Sequence, residues 1–117
     1  MGWWSRRPPA PSAEELAAIE RRCKSLRLAL EACARANPAD ATACGNLEIT
    51  TLSCYGEVLM KEETGVHRRC LNSLMRGAAF AGGAGGAAAP ELSCARYEDA
   101  LRAGLRARGL FPFAPSR

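Results

Sequence analysis

Valine and isoleucine are scarce in this chain of 117 residues, two of each. A buried parallel sheet consumes β-branched residues in quantity, so a large catalytic α/β domain is excluded. No apolar run approaches the roughly 20 residues that a helix needs to cross a bilayer, which excludes a transmembrane protein. Leu, Ile, Val and Phe together number 20, or 17% of the chain. That is under the roughly 20% below which a highly charged chain tends towards disorder, although the net charge here is only +4. The hydrophobic fraction of 48% conceals this shortage, because 23 of those 56 residues are Ala and 6 are Cys. The core must be thin, and something has to supplement it.

Catalytic constellations are missing as well. His67 is the single histidine, no set of carboxylates gathers around it in the sequence, and it is expected to be an exposed helix residue. Gly82-Gly83 and Gly85-Gly86 follow no strand and carry no lysine and serine or threonine of a phosphate loop. The close pair C-x2-C, from which tetrahedral zinc sites and reactive dithiols are built, does not occur, nor does a Cys-Cys dipeptide. An enzyme is not expected, and neither a metal nor another cofactor is.

What the chain does have is cysteine at 23, 33, 44, 54, 70 and 94. Nine residues separate Cys23 from Cys33, and nine separate Cys44 from Cys54. Ten positions along a helix rise about 15 Å and turn about 1000°, leaving the two sulfurs roughly 80° apart on one broad face. Two such helices folded antiparallel bring Cys33 opposite Cys44 beside the turn, and Cys23 opposite Cys54 at the open end. Disulfides are the expected use of these residues, over metal ligation and over inert core thiols. Crosslinks of this kind supply about 3 kcal/mol or more each, the nested pair less than the sum, so the reduced chain is expected to be unfolded or molten.

The flanking residues read as helices. Ser12 and Glu15 form a capping box, and Leu16, Ile19, Cys23, Leu26, Leu30 and Cys33 fall at helical spacing. Asn37-Pro38 breaks the helix, and Asp40 or Thr42 is placed to cap a second one. Gly45 with Ile49, Thr50 and Thr51 weakens that second helix intrinsically, so it leans on packing and crosslinks.

Twin C-x9-C on a helical hairpin, here Cys23/Cys33 and Cys44/Cys54, resembles the coiled-coil-helix-coiled-coil-helix (CHCH) family of small mitochondrial proteins, over about residues 14–63. The resemblance implies residence in the mitochondrial intermembrane space, peripheral to the inner membrane, after import and oxidation by the relay oxidoreductase of that compartment. Substrates of that relay present a cysteine with apolar residues one and two turns away, for which Leu16, Ile19, Leu26 and Leu30 are the candidates here. The same residues are also simply the core stripe.

The remainder departs from the minimal hairpin. Residues 1–13 form an extended arm whose adjacent prolines forbid a presequence helix, and position 6 of a myristoylation motif is occupied by Arg6. Trp3 and Trp4 in that arm are candidates for docking on a protein or membrane surface, or for packing back on the hairpin. Thr64-Gly65 marks a break, followed by a third helix over 64–76 with Val66, Cys70 and Leu74 on one stripe. A Gly/Ala linker fills 77–90, and a fourth helix over 91–109 places Cys94, Tyr97, Leu101 and Leu105 on one face and stops at Gly109. Cys70 and Cys94 form the expected third bridge, with free thiols or pairing to another subunit as alternatives. In the extended tail, 110–117, Phe111 and Phe113 alternate with prolines and are docking candidates for a groove on a partner. Residues 1–63 carry eight basic and nine acidic side chains, whereas residues 64–117 carry eight basic and three acidic. The excess of Arg68, Arg69, Arg76, Arg96, Arg102, Arg106 and Arg108 suits acidic subunits, anionic lipid or RNA, or a plain solvated face.

The expected fold is all-α: a disulfide-stapled antiparallel hairpin with additional C-terminal helices and extended tails. The expected role is a non-catalytic accessory subunit or assembly factor of a mitochondrial respiratory-chain complex. Its expected partners are larger subunits of that complex, the import oxidoreductase during biogenesis, and an anionic membrane surface. Nucleic acid is not the first expectation. The alternatives are a copper metallochaperone for cytochrome oxidase assembly, drawing on Cys70 and Cys94, and a mitochondrial ribosomal subunit.

Overall fold

The structure, a computed structural model, describes residues 8–40, 42–81 and 94–113, the side chains of 77–81 excepted. Among these residues there are four α-helices and no strand: α1 (Ala13–Ala36), α2 (Gly45–Leu59), α3 (Lys61–Ala81) and α4 (Ala95–Ala107). The fold is all-α and is stapled by three disulfides, Cys23–Cys54, Cys33–Cys44 and Cys70–Cys94.

The hairpin is built as its sequence signals require. Ser12 Oγ accepts from the Glu15 N–H at 3.0 Å while the Ser12 N–H donates to Glu15 Oε1 at 2.9 Å, closing the capping box at the start of α1. Asn37 ends the helix, its Nδ2 donating to the Cys33 carbonyl at 2.9 Å. α2 returns antiparallel, joined to α1 at both ends of the pairing by the two C-x9-C bridges. The threonines that weaken α2 on propensity are accommodated by back-bonding: Thr50 Oγ1 donates to the Asn46 carbonyl and Thr51 Oγ1 to that of Leu47. Thr51 is fully buried, so that bond satisfies a hydroxyl that would otherwise be costly to enclose.

Three details differ from the sequence reading. Neither Asp40 nor Thr42 caps α2; its N-cap is Cys44, which makes no side-chain capping bond. Asp40 and Thr42 bond to each other instead, the carboxylate Oδ1 accepting from the Thr42 N–H at 3.0 Å and from its hydroxyl at 2.8 Å. The chain also does not break at Thr64-Gly65. It turns at Met60, and both residues lie inside α3, which runs on to Ala81 and absorbs the first residues of the expected linker. One residue suffices for this joint because Met60 serves both helices: its N–H donates to the Gly56 carbonyl at 2.7 Å and its carbonyl accepts from the Thr64 N–H at 2.9 Å. Finally, α4 begins at Ala95 and ends at Ala107; residues 91–93 lie outside the described residues.

α1 packs mainly on α2, while α2, α3 and α4 pack on one another. The core is as thin as the composition requires: Ile19, Cys23, Leu52, Tyr55, Met60, Leu101 and Leu105. Close approach compensates for the lack of bulk. A Cβ at Gly56 would collide with Thr64 Oγ1 and lie 3.3 Å from Thr64 Cβ, so only glycine lets α3 come this near to α2. A Cβ at Gly104 would run into the thioether of Met60, which seats the α2–α3 joint on α4.

Candidate functional site

α4 ends in a Schellman motif. Gly109 takes φ 81°, the Leu110 N–H donates to the Leu105 carbonyl at 2.9 Å, and the Gly109 N–H donates to that of Arg106 at 3.0 Å. This reversal sends the chain back across the hairpin. Phe111 and Phe113 are therefore not in a free extended arm, as the alternation with proline led us to expect. They are half-buried on their own chain, with the Phe113 ring 4.8 Å from Tyr55 and 5.2 Å from Phe111. Arg106 covers Phe111 at 5.2 Å. Burying two aromatic faces against a thin core is worth more than leaving them in water, which is why the tail closes on the molecule.

Together these elements enclose a groove of about 260 Å³ at the turn end of the hairpin. Its walls are Leu30 and Ala34 of α1, Cys44, Gly45 and Glu48 at the start of α2, and Phe111, Pro112 and Phe113. One wall carries charge: Glu48 receives Arg102 Nη2 at 2.9 Å, and Arg102 Nη1 donates to Asp99 at 2.8 Å. Burial works against the Arg102 charge, but these two carboxylates outweigh it and hold the guanidinium more firmly protonated than usual. The groove is thus mostly apolar with a neutralised ion pair at its edge, and suits an apolar side chain of a partner. Truncating Phe113 to Ala is expected to remove one wall and lower stability by about 1–2 kcal/mol, read as a shift in urea midpoint with unchanged slope.

The other candidates distribute as follows. Trp3 and Trp4 lie outside the described residues. Of the import-signal candidates, Ile19 is buried, Leu26 and Leu30 are half-buried, and Leu16 is 45% exposed. In the hairpin seam Arg27 Nη1 donates to Tyr55 Oη at 3.3 Å and lies 3.6 Å from Glu20 Oε1. That phenol, with Glu20 and Glu31, favours the charged form of Arg27. The basic residues of the second half are largely spent within the molecule. Arg68 pairs with Glu57, Arg96 stacks on Tyr97, and Arg108 Nη1 donates to the Gly104 carbonyl at 2.9 Å. Arg69 and Arg76 stand exposed on α3.

His67 is the largest departure from the sequence reading. It is 1% exposed rather than solvated, at the contact of α3 with α4, and its Nε2 lies 3.3 Å from Glu98 Oε2. Its Nδ1 has no hydrogen-bond partner among the described residues, and neither has the buried Thr64 Oγ1 one turn earlier. His67 falls on the stripe of Thr64, Cys70 and Leu74. Spacing from Cys70 was a signal that could have placed it inward, but a lone polar residue in a basic stretch reads as surface.

All six cysteines are in disulfides, and among the described residues no group of three or more His, Cys, Asp or Glu side chains is placed to hold a metal ion. Among the described residues no helix is long and apolar enough to cross a membrane. The turn beside the groove carries one titrating feature, since the Thr42 hydroxyl and N–H hold the Asp40 carboxyl below its ordinary 3.8. A carboxylate with a lowered folded-state pKa stabilises above its unfolded value and loses that contribution as pH falls through the folded value. Asp40→Asn is therefore expected to lower the melting temperature slightly at neutral pH and to have no effect in acid below the carboxylate range.

Compared with known proteins, the chain matches no family model, no curated protein and no solved structure.

Proposed function

We propose that the protein is a non-catalytic accessory subunit or assembly factor of a mitochondrial respiratory-chain complex, working on the intermembrane-space side. One observation carries the reading: two C-x9-C helices face each other antiparallel and are joined crosswise, Cys23 to Cys54 and Cys33 to Cys44, the arrangement that makes the chain resemble the CHCH family. Persistent disulfides need an oxidising compartment, and within mitochondria the intermembrane space supplies one. The groove beside Phe111 and Phe113 gives such a protein a place to receive an apolar side chain of a larger subunit.

Co-migration of the endogenous protein with a respiratory complex on a native gel tests the proposal directly. Protease protection in mitochondria with the outer membrane opened tests the compartment, and a protein that stays protected there defeats it. The copper-carrier alternative requires thiols at Cys70 and Cys94, which are joined to each other here. Titration of the oxidised protein with Cu(I) is expected to give no stoichiometric complex.

A further inference from the structure

Two contacts of different chemistry sit on adjacent turns where α3 meets α4. One is the Cys70–Cys94 bridge, with its Cα atoms 6.0 Å apart. The other is the His67–Glu98 pair, Nε2 to Oε2 at 3.3 Å. His67 and Cys70 stand three positions apart on α3, and Cys94 and Glu98 four apart at the start of α4, the spacings that put two side chains on one face of a helix. Helical side chains lean over the preceding turn, which carries Cys70 towards His67 and Glu98 towards Cys94. The place is shielded from water: His67 is 1% and Cys94 3% exposed, the Glu98 side chain 14%, and Cys70 is half-buried.

Two thiolates, an imidazole and a carboxylate make a donor set for zinc, and pairs one turn apart on facing helices are how helical proteins build metal sites. Zinc bonds of about 2.0–2.2 Å at the tetrahedral angle put a nitrogen and an oxygen about 3.3–3.5 Å apart. His67 Nε2 and Glu98 Oε2 already have that separation. In the oxidised chain the two sulfurs are spent on each other, and no three such side chains among the described residues are placed to hold an ion. Reduction frees both sulfurs as further donors. Neither hairpin bridge has this option, because His67 is the single histidine of the chain and lies on α3.

We propose that the reduced chain binds one Zn²⁺ ion between α3 and α4 through Cys70, Cys94, His67 and Glu98, so that metal and third disulfide are alternative ties between these helices. The bridge opens by exchange with a dithiol: the two cysteines take up two electrons and two protons as the dithiol closes to its own disulfide. Both thiols then release their protons to water as the two Zn–S bonds form. Reoxidation reverses the exchange and expels the ion. No order of opening among the three bridges is required, because the site needs only that Cys70 and Cys94 be reduced.

The test uses the full chain reduced with a dithiol, freed of it by gel filtration without oxygen, and titrated with Zn²⁺, with Co²⁺ as spectroscopic stand-in. One equivalent is expected to bind, with thiolate-to-cobalt charge-transfer absorption, and to protect Cys70 and Cys94 from alkylation while Cys23, Cys33, Cys44 and Cys54 react. His67→Ala and Glu98→Gln are each expected to weaken binding by more than the roughly tenfold that losing even an outer-shell partner costs. Cys70→Ser with Cys94→Ser is expected to abolish it, as is oxidation of the wild-type chain. Absence of a one-to-one complex, protection of the hairpin cysteines in place of Cys70 and Cys94, or unchanged affinity in either the His67→Ala or the Glu98→Gln variant would overturn the proposal. None of these outcomes bears on the compartment and complex proposed above.

Discussion

Complete reduction is expected to abolish the tertiary structure of this protein, with loss of near-ultraviolet circular dichroism and a broad, weakly cooperative residual melt. The three bridges span 31, 11 and 24 positions. In the chain-entropy model such loops contribute about 3–4 kcal/mol each, the nested pair giving less than its sum. Their total is comparable to the whole stability of an ordinary domain, about 5–15 kcal/mol. What remains after reduction is a core of seven residues, one of them Cys23 itself. The second helix suffers most, because Gly45 and the run Ile49-Thr50-Thr51 give it little intrinsic helicity. α1 keeps its capping box and its leucines and retains the most helix. Replacing Cys23 and Cys54 together by Ser is expected to cost more than replacing Cys33 and Cys44, since the first pair closes the longer loop and sits in the core. Equal midpoints in urea for the two double variants would contradict this ordering.

Most of this architecture was legible in the cysteine spacing and the apolar stripe. The pairing of Cys23 with Cys54 and Cys33 with Cys44 follows from two ten-residue steps facing each other, and the buried side of α4 follows from Cys94, Leu101 and Leu105 at helical spacing. The turn at Met60 was not legible, because nothing local marks it: no glycine or proline stands there, and the helix bends where Met60 finds a seat against Gly104. Thr64-Gly65 looked like the break and proved to be a contact, with Gly56 making room for Thr64. The same limit hid the groove. Phe111 and Phe113 read as a free peptide until the reversal at Gly109 is combined with the position of Tyr55, two facts from segments more than fifty residues apart. His67 was read as surface because its partner Glu98 lies 31 positions away.

Leu101→Ala is expected to be the most damaging single substitution outside the cysteines, lowering stability by about 2–5 kcal/mol. Leu101 is fully buried where α2, α3 and α4 meet, and a core this small has few neighbours able to relax into the space left behind. The obstruction at Gly56 involves different atoms. A Cβ there would lie 3.5 Å from Leu101 Cδ2, an ordinary contact, while the collision is with Thr64. Gly56→Ala is therefore expected to cost about 1–3 kcal/mol by forcing α2 and α3 apart, even though alanine is the better helix former. It follows that Leu101→Ala does not relieve Gly56→Ala. The two positions are in contact, so strict additivity is not expected, but the double variant is expected to be less stable than either single variant, by urea denaturation with unchanged slopes. Thr64→Ala removes the hydroxyl in the way, and together with Gly56→Ala it is expected to recover part of the loss. Rescue by Leu101→Ala instead would show that the close approach of α2 is set by α4 rather than by α3.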